Sequence, residues 1–225
     1  MKLKTDHIVV AADSLQQGID YIKQQLGVEV PMGGIHPSMG THNALMQLAD
    51  DLFFEIIAIN PDSLSNSDLQ IDQPRWFSLD NPLLQQQLKR QPQLLTWVVN
   101  SDNIQQDISQ GIYRQTNSRL VERNNLSWDF AMPDDGGLIA EGLIPYVLQW
   151  HNSHPAANML NRGCCLKQIV IHHPHPQWIE KLLTEIGAIE LVRIKPLNKN
   201  QSGYLAVELN TPKGVVVLET MRGAL

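Results

Sequence analysis

His7 and Glu55 are the ionisable residues whose surroundings in this 225-residue chain call most for an explanation. His7 opens a short β-branched run, residues 7–10 (HIVV), and Glu55 interrupts an otherwise apolar one, residues 52–59 (LFFEIIAI). A carboxylate inside such a run is costly to bury unless it is paired or bound to a metal. Imidazole and carboxylate together suit a divalent ion such as Zn, Ni, Fe or Mn, so both are candidate metal ligands. Glu55 is also a candidate for the chemical step. The blander alternative is a His7 hydrogen-bonded in a core and a Glu55 paired with a nearby base.

His36, His42 and Asn43 lie in residues 33–43 (GGIHPSMGTHN), where Gly33, Gly34 and Gly40 let a ligand come close to the backbone. All three are candidate substrate contacts. His42 is in addition a candidate general base or a further ligand to a metal begun by His7. The alternative is a well-made hairpin with exposed histidines. Arg75 and Trp76 come next, and a guanidinium beside an aromatic ring suits a carboxylate or phosphate on a small substrate; a surface ion pair and a packing Trp would look the same. His172, His173 and His175 sit at a strand-to-helix turn among prolines and read as a solvated loop. Cys164 and Cys165, the chain's two cysteines, are adjacent and read as structural thiols.

These side chains need elements to hold them. Residues 7–10 read as a strand. Leu15, Ile19, Ile22 and Leu26 recur at helical spacing behind a cap at Asp13 or Ser14, and Gly27 suits the helix end. Residues 28–31, 44–48 and 52–59 read as three more strands. The same order, strand, helix and three strands, recurs at residues 168–219 (with strands at 189–194, 204–209 and 215–219) and more weakly at 96–150. In that alignment Thr96 and Gln168 take the place of His7, and Gln149 and Glu219 the place of Glu55. The expected organisation is a first module at 1–60, a linker with short helices at 61–93, a second module at 94–152 and a third at 164–225.

The motifs Asp6-His7-Ile8-Val9-Val10, residues 33–43, Phe54-Glu55-Ile56-Ile57 and Pro74-Arg75-Trp76-Phe77 resemble the glyoxalase-like domain family of the vicinal oxygen chelate superfamily. That resemblance covers about residues 5–150. It implies an α+β fold of repeated βαβββ modules whose curved mixed sheet forms a cup, with an additional C-terminal βαβββ-like unit. It also implies that His7 and Glu55 stand where the superfamily holds a metal. Neighbouring modules usually pack together, so the first and second are expected to form the cup. Thr96 and Gln149 would then face the metal, and both are weak ligands. Pairing of the first module with the third would instead offer His7, Glu55, Gln168 and Glu219, a set like that of glyoxalase I enzymes. The third module is expected to cover the cup or to meet a second copy across a two-fold axis.

Two function classes are open: a metal-dependent lyase, isomerase or dioxygenase-type enzyme using His7 and Glu55, or a metal-free small-molecule binding or resistance-type protein with the same cup. The partner expected in either case is a small polar or anionic metabolite. A formal net charge of −6 without a basic stretch argues against nucleic acid. No apolar run reaches the ~20 residues of a membrane span, and residues 1–5 lack the apolar core of a secretory signal. A reduced, cytoplasmic setting fits the cysteine usage.

Overall fold

The computed structural model describes residues 3–65, 74–109 and 111–221, so part of the expected linker, residues 66–73, lies outside the described residues. The first module runs β1 (Lys4–Ala11), α1 (Leu15–Leu26), β2 (Met32–His36), β3 (Thr41–Ala49) and β4 (Leu52–Ile59). Ser14 caps α1 through its side chain, accepting from the Gln17 N–H, and Gly27 closes it in the left-handed conformation. Leu15, Ile19, Ile22 and Leu26 form its buried face, packed in one core with Ile8, Val10 and Ile56. Short helices α2 (Pro61–Ser65) and α3 (Pro82–Leu88) come next. The second module runs β5 (Gln93–Asn100), α4 (Ile104–Ile108), β6 (Thr116–Arg123), β7 (Leu126–Pro133) and β8 (Tyr146–Trp150).

These eight strands make one sheet in the order β2-β3-β4-β1-β5-β8-β7-β6. The two modules join where β1 pairs antiparallel with β5. Their outermost strands, β2 and β6, sit at opposite ends of that order. Yet Arg123 of β6 reaches His36 of β2, with Nη1 3.1 Å from Nε2. Only a sheet curled almost back on itself brings its two edges together, so the sheet is a deep half-barrel cup.

The seam between the modules carries an irregularity. Thr5 pairs with Val99 and His7 with Val98, which leaves Asp6 as an extra residue without a partner on β5. Such a bulge breaks the strict alternation of faces along a strand.

The third module holds β9 (Cys165–His173), α5 (Pro176–Glu185), β10 (Arg193–Pro196), β11 (Tyr204–Thr211) and β12 (Gly214–Glu219). Residues 189–191, expected to be part of a strand, form a 3-10 turn ahead of β10. The module keeps the order of elements but not the wiring. Its separate sheet runs β10-β9-β11-β12, with β9 parallel to β10 and inside the sheet. In the first two modules the corresponding strand, β1 or β5, instead lies beside the fourth strand of its module. Hydrophobic periodicity fixes which segments are strands; long-range pairing fixes their neighbours. The third module shares the main core through Ile171, Ile179 and Leu205. Gln168 pairs in register with Glu208 on β11, and neither Gln168 nor Glu219 lines the cavity of the cup. The adjacent cysteines are free, Cys164 buried and Cys165 exposed. No helix among the described residues is long and apolar enough to cross a membrane.

Gly142, before β8, has φ +85°, and a Cβ there would fall 2.1 Å from the Leu95 carbonyl oxygen. Its own carbonyl accepts the buried Thr96 hydroxyl at 3.1 Å. Gly142→Ala therefore combines left-handed strain with a clash against backbone, and should cost about 3 kcal/mol. Chemical denaturation of the purified variant measures this; a loss under about 0.5 kcal/mol would show that the 140–142 turn relaxes freely.

Candidate functional site

Paired residues across a sheet share a face, and that face of the cup is set by β1. His7 pairs with Phe53 and Val9 with Glu55 on β4, and Glu55 pairs with Leu45 and Ile57 with Asn43 on β3. His7, Phe53, Glu55, Leu45 and Asn43 look into the cup. From the other side come Arg123, Trp128, Phe130, Leu148 and Trp150. Trp76, Phe77, Pro155 and Met159 complete a narrow cavity of about 30 Å³ that opens to solvent, and His36 stands at the β2 rim.

The polar groups in this apolar cavity form one connected array. Asp6 has no exposed surface and anchors it. Its Oδ1 accepts from His7 Nδ1 at 2.6 Å. Its Oδ2 takes the Trp150 indole N–H at 2.8 Å and lies 2.9 Å from His154 Nε2. Burial alone would raise the Asp6 pKa, but the hydrogen bonds and charges of His154 and His7 more than offset it and hold the carboxyl below its ordinary value. His7 Nδ1 faces Asp6 and Nε2 faces Glu55, whose Oε2 is 3.5 Å away. The imidazole is stacked on Phe53 with centroids 4.5 Å apart, which fixes its plane.

Glu55 is 5% exposed, and its Oε1 accepts the Asn43 amide at 2.7 Å. The Asn43 carbonyl faces the opposite way, accepting Gly34 N–H at 2.9 Å and Arg123 Nη1 at 3.3 Å. One amide thus stands between a carboxylate and a guanidinium. The close fit depends on the missing side chains in β2: a Cβ on Gly34 would press on Arg123 Cδ at 3.1 Å.

His36 is neutral in this setting. Burial, then the nearby Arg123 charge, pulls its pKa down to about 3. Its Nδ1 lies 3.1 Å from the Thr41 hydroxyl, and Nε2 accepts from Arg123. Burial also lowers the Arg123 pKa, with Glu55 acting in the opposite sense. The guanidinium bonds to His36 and Asn43 both use Nη1, so Nε and Nη2 engage no hydrogen-bond acceptor among the described residues.

Several sequence candidates fall elsewhere. His42 alternates with Asn43 along β3 and points out of the cup; its Nε2 is buried without a partner among the described residues. It therefore contributes neither a base nor a metal ligand inside the cavity. Arg75 lies outside the cavity lining and is tied to Asp80, Nη1 to Oδ1 at 2.6 Å, while its neighbour Trp76 does line the cavity. Gln149 faces away from Leu148 and Trp150 and accepts the Ile104 N–H at the start of α4, at 2.8 Å. Thr96 binds Gly142. His172 stacks on Tyr204 with centroids 4.4 Å apart, and His173 accepts the His175 N–H at 3.0 Å.

The donor set does not fit a resident divalent ion. His7 Nε2 and Glu55 Oε2 are two converging donors, and catalytic sites of this type use three protein ligands. The third candidate nitrogen, His36 Nε2, is taken by a guanidinium, whose charge repels a cation. Among the described residues no group of three or more His, Cys, Asp or Glu side chains could hold a metal ion.

A family model for a glyoxalase-like domain matches residues 5–187. No curated protein matches the sequence. A hypothetical protein from Staphylococcus aureus has a similar structure over 100% of this chain and 88% of its own, at 13% identity and a TM-score of 0.57. A variant of 4-hydroxymandelate synthase from Streptomyces coelicolor aligns over 97% of this chain and 62% of its own, at 8% identity and a TM-score of 0.47. Methylmalonyl-CoA epimerase from Mycobacterium tuberculosis aligns over 65% of this chain and 85% of its own, at 17% identity and a TM-score of 0.36. At 13% identity the likeness to the Staphylococcus aureus protein is one of fold.

The neutral burial of His36 has a consequence for stability. Its folded pKa lies below the unfolded value, so the unfolded chain binds the extra proton first as pH falls. Stability is full above about pH 6.5 and declines towards the folded value of about 3, at up to about 1.4 kcal/mol per pH unit from this group. His42, also lowered by burial, adds a slope of the same sign. Between pH 7 and pH 5 the urea midpoint should fall in the wild type and fall less in His36→Gln; equal slopes would mean that His36 is hydrated and charged in the folded protein.

Proposed function

The chain belongs to the glyoxalase-like domain family of the vicinal oxygen chelate superfamily, and from that premise we propose that it binds a small anionic or strongly polar metabolite in the cup and moves a proton on it without a metal. The observation that carries this reading is the pairing of a buried carboxylate, Glu55, with a fixed guanidinium, Arg123, across the Asn43 amide inside an apolar cavity. A carboxylate there is held apart from its cation and stays available as a proton acceptor. The guanidinium donates hydrogen bonds where negative charge would develop on a ligand oxygen, and the apolar walls strengthen both effects.

Each polar residue then has a task. Arg123 holds the oxygen of a carbonyl or carboxylate, with the adjacent carbon turned towards Glu55. Glu55 Oε2 takes the proton from that carbon. His7 Nε2, fixed by Asp6, stands beside Oε2 and can pass the proton on or return it. Asn43 orients both Glu55 and Arg123. The metal role expected for His7 and Glu55 is not carried into this reading, because a third ligand is missing and Arg123 opposes a cation.

The test is exchange of an acidic C–H with deuterated solvent, using small 2-oxo acids such as pyruvate, 2-oxobutyrate and phenylpyruvate. Exchange catalysed by the wild type should fall about 10²- to 10⁴-fold in Glu55→Gln, with the fold retained by circular dichroism. It should be unaffected by EDTA. Exchange that survives Glu55→Gln, or is not accelerated for any of the acids, overturns the proton-transfer reading. Loss on chelation with recovery on adding Zn, Ni, Fe or Mn overturns the metal-free part and restores a metal on His7 and Glu55.

A further inference from the structure

The walls of the cavity say more about the ligand than its polar groups do. Three of the chain's five tryptophans and three of its four phenylalanines line this one cavity. Around Phe130 they meet edge to face, and elsewhere they are tilted against one another. Trp76 and Phe130 have centroids 5.4 Å apart at 65°, and Phe77 and Phe130 lie 5.9 Å apart at 89°. Trp128 and Trp150 form a second pair, tilted by 46° at 5.0 Å. Rings arranged in this way offer positive edges and negative faces to a further ring entering between them.

The charge is placed against these rings. His36 bridges them, edge-on to Trp76 at 5.0 Å and to Trp128 at 6.3 Å. Its Nε2 accepts from Arg123, so the guanidinium stands at the end of the aromatic pair. Arg123 makes no ion pair among the described residues, and its Nε–H and Nη2 donors are unspent there. Arg123 is half-buried and these donors reach solvent, so an anion there would replace water with a charge-assisted contact. Its planar fork matches a carboxylate, which can accept two parallel N–H bonds. A quaternary ammonium group would meet the Arg123 charge. A sugar would find apolar walls where it needs hydrogen-bond partners.

We infer that the ligand is a monocyclic aromatic carboxylic acid, its carboxylate on the free side of Arg123 and its ring among Trp76, Trp128 and Phe130. This rests on the reading of the cup as the ligand site and adds the class of molecule that fills it.

A matched series tests the inference: phenylacetate, phenylacetamide and acetate, titrated by calorimetry and by the fluorescence of the cavity tryptophans. Phenylacetate should bind at least about tenfold more tightly than phenylacetamide, the difference between a charge-assisted and a neutral hydrogen bond, and at least about tenfold more tightly than acetate. Arg123→Gln should erase the preference for acid over amide while keeping the preference for phenylacetate over acetate. Arg123→Lys should keep part of the former, which separates loss of charge from loss of fold. Acetate or phenylacetamide binding as tightly as phenylacetate overturns the inference. So does an acid preference that survives Arg123→Gln, or no binding of phenylacetate at millimolar concentration. The two readings fail separately. Glu55-dependent exchange confined to aliphatic acids removes the aromatic class and leaves proton transfer standing. Arg123-dependent binding of phenylacetate without any Glu55-dependent exchange does the reverse.

Discussion

A carboxylate with no exposed surface must find all its hydrogen-bond donors inside the protein, and Asp6 draws them from both modules of the cup. His7 comes from its own strand, Trp150 from the end of β8, and His154 from the turn beyond it. Removing an ion from water costs several kcal/mol, and charge-assisted hydrogen bonds are what offset it. The arrangement therefore ties β1 of the first module to the last strand of the second at the seam where the two share one sheet. The same bonds bring the segment carrying Pro155 and Met159 against the cup, where both line the cavity. Orientation of His7, attachment of the cavity wall and joining of the modules are thus consequences of one buried charge.

The opposite end of the sheet is closed by a second polar contact. β2 and β6 share no ladder, so nothing in the backbone pairing requires them to meet. Arg123 brings them together by donating to His36 and Asn43, and the glycines of β2 leave the space it needs. Curling the sheet and building the site are in this sense one event. The Arg123 bonds that close the barrel also hold His36 neutral and orient the amide that binds Glu55. A deformation of the cup would be felt at the carboxylate through two hydrogen bonds.

Much of this is legible in the chain alone, for identifiable reasons. His7 and Glu55 stand out because alternation puts them on one face of two apolar strands, and β1 and β4 are regular where they pair. The interrupted glycine run locates His36 and Asn43. Asp6 gives no such signal although it is His7's neighbour, because strict alternation sends neighbours to opposite faces, and the bulge that defeats the rule has no sequence mark. Arg123 is hidden because a charged residue before a turn looks like solvated surface. Its one signal is position, at the tip of a hairpin whose other strand is aromatic. His42 and Arg75 are drawn in by their motifs, yet β3 turns the former outward and Asp80 holds the latter. The third module repeats the hydrophobic pattern but not the strand order, since pattern within a segment cannot encode which distant strand it will join.

The composition of the cavity is itself evidence that it was not shaped for stability. A core of this size could be filled by leucine and phenylalanine with no desolvation cost. Instead it keeps His7, His36, Asn43 and Glu55, all buried, and the half-buried Arg123, with Asp6 buried behind His7. Hydrogen bonds join Asp6 to His7 and Asn43 to both Glu55 and Arg123, with His7 and Glu55 3.5 Å apart between the two groups. Arg123 retains donors with nothing among the described residues to receive them, and so does the buried indole N–H of Trp76 in the same cavity wall. Groups that serve only the fold end in mutual satisfaction. Donors left open at Arg123 and Trp76 are where a ligand in the cup would complete the network.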